Sequence, residues 1–161
     1  MVNYGPAFAF AGGAVAAIFG GIGSSIGVGA AGTTGAGVAA EKPEAFGKIL
    51  VLEALPGSQG IYGLIGAFLV LNFFSDKIEL VTTGVGLQIF VACMPLAFTA
   101  LFSGIYQGKV AAAGMNIIAK NPANGGQAIV LAAIVETFAI LGLLASFLML
   151  SAIRDALTVA A

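Results

Sequence analysis

The stretch Ile129–Leu150, IVLAAIVETFAILGLLASFLML, is apolar throughout except for Thr137, Ser146 and the carboxylate of Glu136. Roughly 20 residues at a rise of about 1.5 Å per residue cross a hydrocarbon core about 30 Å thick, so this stretch is predicted to be a membrane-spanning helix. An acidic residue near the centre of such a helix costs about 2.5 to 3.5 kcal/mol on insertion scales and usually faces a partner or an ion path. Glu136 is therefore expected to have a function.

The remainder of the chain has the same apolar character. Of its 161 residues, 60% are hydrophobic and 8% are charged, which is typical of an integral membrane protein. Uncharged stretches predict four spans, near Ala7–Ala40, Ile49–Phe74, Leu80–Ala119 and Gln127–Ile153. The N-terminus lacks the basic region of a signal peptide, so the first span is expected to be retained. A net charge of −1 gives no support for nucleic-acid binding.

Basic residues near the connections predict the orientation in the membrane. Four lysines flank the first and third connections, and two basic residues flank the second connection and the C-terminus: Lys42, Lys48, Lys109 and Lys120 against Lys77 and Arg154. Because Lys and Arg accumulate on the cytoplasmic side, connections one and three are expected in the cytoplasm and both termini outside a cell membrane. The single Cys93 lies in an apolar span without a disulfide partner, where we expect it to contribute to packing.

The chain repeats itself. When the sequence is shifted so that Ser24 falls on Ser103, the two halves superpose, and the same register aligns Pro43 with Pro122 and Phe68-Leu69 with Phe147-Leu148. The sequence therefore predicts two tandem helical hairpins, residues 1–79 and 80–161, in an all-α membrane fold. Hairpins in series enter from the same side, so this is a parallel repeat about an axis along the membrane normal, a geometry that suits a closed ring.

Small residues line the first predicted helix. Every fourth position from 13 to 37 is Gly, Ala, Ser or Thr, and the neighbouring row at 23, 27, 31, 35 and 39 is also small. Small residues on one helix face allow backbones to approach closely, which is how helices associate in lipid. Two adjacent rows favour a helix wedged between like neighbours on the inside of a ring, although a single tight helix pair is the simpler alternative.

Polar residues accumulate on one face of the second predicted helix. Leu55, Ser58, Gln59 and Tyr62 are spaced i, i+3, i+4 and i+7 and therefore share that face. The adjacent Pro56 removes a backbone donor, which loosens the helix and frees carbonyl oxygens to face a ligand, or simply kinks the helix.

Together with Glu136 on the fourth helix and Gln107 on the third, this face supplies a carboxylate, two amides, a hydroxyl and a backbone carbonyl. Such hard oxygen donors suit a small alkali cation, and no His or Cys cluster offers another kind of metal site. A proton site needs only a carboxyl group, so the additional oxygens favour Na⁺ over H⁺. A purely structural hydrogen-bond network among these side chains remains open.

The two halves are not equivalent in their acids. The register aligns Glu136 with Gly57 and Gln107 with Val28. There is therefore one central acid per four helices. Glu53 lies one turn nearer the first connection, where Lys48 could approach it, and we expect Glu53 to be structural.

Three segments carry a family resemblance: LPGSQGIYG at 55–63, FSGIYQGKVAAAG at 102–114 and AAIVETFAILG at 132–142. With these segments the chain resembles the K subunit, or proteolipid, of V-type and A-type ATPases, specifically of the Na⁺-pumping bacterial branch. The resemblance spans nearly the whole chain. It implies fused hairpins in a closed, homo-oligomeric rotor ring, which a soluble ATP-hydrolysing head turns through central stalk subunits.

The resemblance also implies a ligand set for Na⁺: Glu136, Gln59, Gln107, Ser58 and the Leu55 carbonyl, with Tyr62 donating a hydrogen bond to Glu136. Ser58 departs from the threonine of the Na⁺ branch but keeps the hydroxyl. A stator membrane protein is expected to present an arginine to Glu136. The chain itself is then a non-catalytic part of a machine that pumps ions or synthesises ATP.

Three other functions remain to be weighed. The same rotor subunit could carry H⁺ instead of Na⁺. A secondary carrier or channel could use Glu136 to bind coupling ions, although the parallel duplication and the glycine rows speak against it. A structural membrane scaffold would leave Glu136 and both intramembrane glutamines unexplained.

Overall fold

The computed structural model describes residues 2–160, and these residues fold into a bundle of four long apolar spans. The spans are Gly5–Glu41, Pro43–Leu80, Thr83–Lys120 and Pro122–Val159. The four predicted spans are confirmed, although the first, second and fourth continue beyond the predicted ends. The third begins at Thr83 instead of Leu80, because the Thr82 side chain accepts the N–H of Val85 and caps that helix.

Six α-helices form the four spans of the described residues. Helix α1 (Gly5–Glu41) is the first span, α2 (Phe46–Ala54) and α3 (Ser58–Phe74) form the second, α4 (Thr83–Ala92) and α5 (Met94–Lys120) form the third, and α6 (Gly125–Ala160) is the fourth. Short 3₁₀ segments lie at the connections, at Pro43–Ala45, Ser75–Leu80 and Pro122–Asn124, and inside the second span at Leu55–Gly57.

Two prolines interrupt the middle spans. Pro56 lies in the 3₁₀ turn between α2 and α3, as its missing N–H predicted. Pro95 lies in the first turn of α5, directly after the break at Cys93 that separates α5 from α4. Pro95 cannot donate to the Val91 carbonyl, so α4 and α5 are separated there, although together they form one span as predicted.

Helix α1 packs against α5 through facing glycines. A methyl group added to Gly23 would lie 2.6 Å from the Leu101 carbonyl oxygen, and one added to Gly104 would lie 2.6 Å from the Gly23 carbonyl carbon. Only glycine permits this approach of two backbones. The contact joins the two halves of the chain into one bundle.

The two small-residue rows of α1 point in different directions. The row at 23, 27, 31 and 35 is buried against the rest of the chain, and most of the other row, at 21, 25, 29, 33 and 37, is exposed. A methyl group added to Gly21, Gly29 or Gly37 would have no neighbour within 4 Å. One row therefore serves the fold, and the other is free for a neighbouring molecule.

Polar contacts join the two halves at both ends of the bundle. Near the first and third connections, which we name the loop end, Lys42 donates to the Ala119 carbonyl. At the opposite end the Asn3 amide donates to the Val81 carbonyl at 3.0 Å. The hairpins are thus parallel, as a tandem repeat requires. The division between residues 79 and 80 falls inside the segment Ser75–Leu80 and stays a prediction.

Candidate ion-binding site

The break at Pro56 positions the polar face of the second span. Helix α3 begins directly after the turn, so Ser58, Gln59 and Tyr62 lie in its first two turns. Gln59 is bonded to side chains of α5, and Tyr62 to a side chain of α6. The turn is held by the Leu55 carbonyl, which accepts the backbone N–H and, at 3.0 Å, the hydroxyl of Ser58. The predicted polar face is therefore present, with the Leu55 carbonyl at its edge.

Glu136 meets this face from α6. Its Oε1 accepts a hydrogen bond from the Tyr62 hydroxyl, and its Oε2 accepts one from Gln107 Nε2 at 3.5 Å. The side chain is half-buried and borders a groove between the second span and α6 that Leu55 and Ser58 also line. The carboxylate is thus held from both sides while one face of it remains accessible.

Both glutamines are completely buried, with 0% exposure. Gln59 Nε2 donates to Gln107 Oε1 at 2.6 Å, and Gln59 Oε1 lies 3.4 Å from the Ser58 hydroxyl. Gln107 Nε2 also donates to the Ala132 carbonyl at 3.2 Å. A buried amide without partners would be strongly unfavourable, so these bonds fix how each amide presents its oxygen.

Ser103 belongs to the same network, and the sequence analysis did not assign it to the site. Its hydroxyl accepts from Gln59 Nε2 at 3.0 Å and donates to the Val135 carbonyl, next to Glu136, at 2.9 Å. The signal that could have identified it is its spacing, because Ser103 precedes Gln107 by one helical turn and faces the same way. Ser103 thereby links the amide of Gln59 to the backbone that carries Glu136.

The structure brings all six predicted site residues together. The Leu55 carbonyl, the Ser58 hydroxyl and Gln59 Oε1 adjoin one another, Glu136 borders the same groove as Leu55 and Ser58, and Tyr62 and Gln107 Nε2 are bonded to the carboxylate. In the described part of the chain, no group of three or more His, Cys, Asp or Glu residues could hold a metal ion. The carbonyl, hydroxyl, amide and carboxylate oxygens of these residues are the kind of ligand that hard cations such as Na⁺ prefer.

The equivalent place in the first half carries Gly57 and Val28. A methyl group added to Gly57 would lie 3.9 Å from a methyl of Val28. These two residues adjoin each other as Glu136 and Gln107 do in the second half, which agrees with the register that aligns Ser24 with Ser103. The first hairpin thus has the two equivalent positions, but neither the carboxylate nor the amide.

The predicted neighbour of Glu53 was wrong. Lys48 donates instead to the Pro122 carbonyl at the loop end, because its stem lies along Gly125 of α6. The Glu53 carboxylate lies against α1, where a methyl group added to Gly32 would be 2.6 Å from Oε1. Cys93 is buried in the apolar core, as expected.

Comparison with known proteins supports the tandem repeat. The family model described as the ATP synthase C subunit matches residues 11–70 and again residues 90–149, and the starts of these two segments are related by the register of the predicted repeat. The V-type sodium ATPase subunit K of Enterococcus hirae is 49% identical over 147 residues, which is 91% of this chain and 92% of that protein.

Two further relatives are more distant. The A-type ATP synthase subunit K of Methanocaldococcus jannaschii is 40% identical over 130 residues, which is 81% of this chain and 56% of that protein. The 16 kDa proteolipid of the V-type proton ATPase of Homo sapiens is 29% identical over 120 residues, which is 74% of this chain and 76% of that protein.

Proposed function

The chain belongs to the family of ATP synthase C subunits, among the K subunits of V-type and A-type ATPases, and on that basis we propose that it is the Na⁺-carrying subunit of a membrane rotor. One observation carries the proposal: the intramembrane carboxylate of Glu136 is bonded to Tyr62 and Gln107 and borders a groove that Leu55 and Ser58 also line. A carboxylate at this depth needs a partner, and a bound cation provides one.

In this proposal five groups bind the ion: the carboxylate of Glu136, the amide oxygens of Gln59 and Gln107, the hydroxyl of Ser58 and the carbonyl of Leu55. Gln59 already directs its oxygen toward Ser58, because its Nε2 is bonded to Ser103 and Gln107. Gln107 directs Nε2 toward Glu136. To bind Na⁺ through Oε1 its amide must turn about half a revolution, which exchanges the two ends of the group.

Tyr62 then controls how tightly the site is closed. Its hydroxyl donates to one carboxylate oxygen, Oε1, and leaves the other, Oε2, for the ion. Hydrogen bonds to a charged group contribute about 1.5 to 3 kcal/mol. Tyr62 thus favours the orientation of Glu136 that faces the other ligands over one that faces the lipid.

Transport follows from the charge of the site. With Na⁺ bound the site is nearly neutral and can rotate past lipid, whereas an ionised, unpaired carboxylate there is costly. A stator arginine opposite Glu136 weakens its hold on the ion and allows release to one side and loading from the other. Rotation of a homo-oligomeric ring, driven through central stalk subunits, is thereby coupled to Na⁺ transfer in the lipid bilayer.

The subunit performs no covalent chemistry in this scheme, since ATP is hydrolysed or synthesised on other subunits. The orientation that we propose places connections one and three in the cytoplasm and both termini outside the cell membrane. The repeat units are the hairpins 1–79 and 80–161. Na⁺ is favoured over H⁺ by the extra oxygens and by the similarity to a subunit named for a sodium ATPase.

The mass of the detergent-solubilised complex tests the rotor. We expect a large closed ring of identical chains, whose isolated form binds Na⁺ without nucleotide. A monomer or dimer would contradict the rotor and favour a carrier.

A further inference from the structure

A groove of about 390 Å³ lies between α5 and α6, and it shares no lining residue with the groove that Glu136 borders. Its aromatic side chains are 48 to 60% exposed: Phe98, Phe102, Tyr106 and Phe138. Exposed aromatic rings are not costly in lipid, because lipid tails are themselves apolar. The occupant of this groove must therefore be identified by shape and register rather than by hydrophobicity.

We propose that α1 of the next copy around the ring occupies this groove, with Gly21, Ser25 and Gly29 packed against Phe102 and Tyr106. This inference rests on the proposed rotor, since it requires chains side by side. It deepens that function by naming the two surfaces that hold neighbouring copies together.

The corresponding groove of the first hairpin is already filled, by α5 of the same chain. The register that aligns Ser24 with Ser103 relates each groove residue to one in the first hairpin: Phe98, Phe102, Ser103, Tyr106 and Phe138 correspond to Phe19, Gly23, Ser24, Gly27 and Gln59. All five of these first-hairpin residues lie against α5. The groove between α5 and α6 is therefore the surface on which the second hairpin is expected to receive another first hairpin.

Symmetry then identifies what fills the groove. In a ring of tandem hairpins, the contact of the first hairpin with the second recurs between the second hairpin and the first hairpin of the next copy. Inside the chain, a methyl group added to Gly23 would lie 2.7 Å from the Ala100 carbonyl oxygen. Because Gly23 aligns with Phe102 and Ala100 aligns with Gly21, the equivalent contact between copies places Phe102 on Gly21.

The same step applies one turn further along the helices. A methyl group added to Gly108 would overlap the backbone of Gly27. Gly27 aligns with Tyr106 and Gly108 aligns with Gly29, so Tyr106 of one copy lies over Gly29 of the next. Ser25 lies between Gly21 and Gly29 on the same face of α1 and completes the contact surface.

The two glycines of this surface make room for the aromatic side chains. A methyl group added to Gly21 or Gly29 has no neighbour within 4 Å in the chain itself, so neither glycine is needed for the chain's own packing. Inside the chain, two glycine faces meet backbone to backbone, whereas between copies a glycine face meets Phe102 and Tyr106. Close packing holds helices together in lipid, and bulky side chains seated on glycines supply it.

One aromatic pair gives a further contact in the same register. Phe19 and Phe98 are aligned with each other by the repeat, and their rings already touch, with centres 5.6 Å apart. Moving this contact by one hairpin returns the same pair, so Phe98 also meets Phe19 of the next copy. The exposed part of Phe98 is thereby covered, and the phenylalanines form a continuous belt around the ring.

Enlarging a glycine tests the contact. Gly29→Leu should leave the fold of the single chain intact, since the space around Gly29 is empty there, but the new side chain would overlap Tyr106 of the neighbouring copy. Assembly should fail, or the temperature at which half of the purified rings dissociate in SDS should fall by roughly ten degrees or more, because overpacking is costly. The matched control, Gly37→Leu, should behave like the wild type, because Gly37 is equally open and aligns with the exposed Asn116. Equal effects of the two variants would overturn the proposal.

Restoring the space tests whether the two residues meet. Tyr106→Ala removes the aromatic ring from the groove, so it should lower the dissociation temperature by several degrees alone and should rescue assembly when combined with Gly29→Leu. Tyr106→Phe keeps the ring and should leave the temperature nearly unchanged. Losses that simply add in the combined variant would show that Tyr106 and Gly29 do not meet.

Cross-linking locates the contact independently of stability. In a Cys93→Ala background, Gly29→Cys and Tyr106→Cys are combined and treated with a short bifunctional thiol reagent. A ladder of covalent dimers, trimers and larger species is expected, and each single cysteine variant should give none. A shifted monomer alone, or no product in intact rings, would overturn this contact and leave the rotor in place. Wild-type chains that form no ring would instead contradict the proposed function, and this contact with it.

Discussion

The two halves of the molecule carry the same positions and different chemistry. The register of the repeat relates the polar face of the second span to a mostly apolar set of the fourth: Leu55, Ser58, Gln59 and Tyr62 to Ile134, Thr137, Phe138 and Leu141. One local feature is common to both sets. Thr137 Oγ1 donates to the Ile134 carbonyl at 2.7 Å, as Ser58 Oγ donates to the Leu55 carbonyl at 3.0 Å.

Comparing the two sets shows which features belong to the helix turn and which belong to the candidate ion site. A hydroxyl bonded to a carbonyl occurs in both halves, so this pair alone does not make an ion-binding site. The amide of Gln59 and the phenol of Tyr62 occur in the second span only, and the second half has Gln107 and Glu136 where the first half has Val28 and Gly57. The duplicated chain therefore holds one central acid per four helices.

The largest effect is expected from Glu136→Gln. This change removes the charge and keeps the volume, so Na⁺-coupled ATPase activity of the whole complex should be abolished while rings still assemble. The matched control is Glu53→Gln, which should leave coupled transport largely intact. Failure of Glu136→Gln rings to assemble would make Glu136 structural, and an equal transport loss in the control would overturn this division of roles.

The fold and the site differed in how far the sequence determined them. Hydropathy determined the four spans, and the oxygen-bearing residues were identifiable because polar groups are rare at membrane depth. The break at Cys93 was missed, because an apolar run has no periodicity that marks an interruption. Ser103 was missed because serine is common in packed membrane helices, and only its contacts with Gln59 and Val135 distinguish it.

The partners of the charged side chains were the least predictable feature of the structure. Sequence proximity suggested Lys48 for Glu53, yet a lysine near a helix end extends toward polar backbone at the loop end. The direction in which a side chain leaves its helix depends on tertiary packing, which neither spacing nor composition specifies.

A smaller effect is expected from Tyr62→Phe, which makes the second span more like the fourth, where Leu141 stands. Loss of one hydrogen bond to a carboxylate, worth about 1.5 to 3 kcal/mol, should weaken Na⁺ binding about tenfold or more. Titration of isolated rings with Na⁺ measures this. Tyr106→Phe is the control, since Tyr106 is exposed on α5. Equal affinities in both variants would show that Tyr62 does not hold Glu136.

Ser103→Ala should act more weakly and only through Gln59. Removing a neutral hydrogen bond worth about 1 kcal/mol should weaken Na⁺ binding roughly fivefold. Ser146→Ala is the matched control, because Ser146 is equally buried and accepts the Leu96 N–H. That variant should lower ring stability without changing Na⁺ affinity, and a Ser103→Ala variant that behaves the same way would make Ser103 merely structural.

The smallest change is expected from Gly57→Glu, which returns an acid to the first half. Without an amide at Val28 or Phe138 the new carboxylate has too few ligands, so the number of Na⁺ bound per chain should not rise. Adding Val28→Gln and Phe138→Gln should begin to restore a second site. Flame photometry on washed rings counts the ions, and a second Na⁺ bound by Gly57→Glu alone would show that a carboxylate suffices.

The number of ions bound per chain determines how many ions the motor moves per ATP. Moving one charge against 100 mV requires about 2.3 kcal/mol, so fewer ions per ATP permit a steeper gradient. One acid per four helices is therefore expected to favour pumping over synthesis. A rotating variant that loads both sites should move more ions per ATP against a lower limiting gradient, and an unchanged ratio in such a rotor would refute this.

The most direct test of the central claim is the labelling of Glu136 by a carbodiimide that attacks protonated carboxyl groups. Bound Na⁺ disfavours protonation and occupies the site, so Na⁺ should slow labelling of purified rings, and the protection should weaken as the pH falls. Mass spectrometry of the peptide that contains Glu136 measures the rate. Labelling that varies with pH but is indifferent to Na⁺ at every pH would identify a proton site and contradict the proposal that these oxygens bind Na⁺.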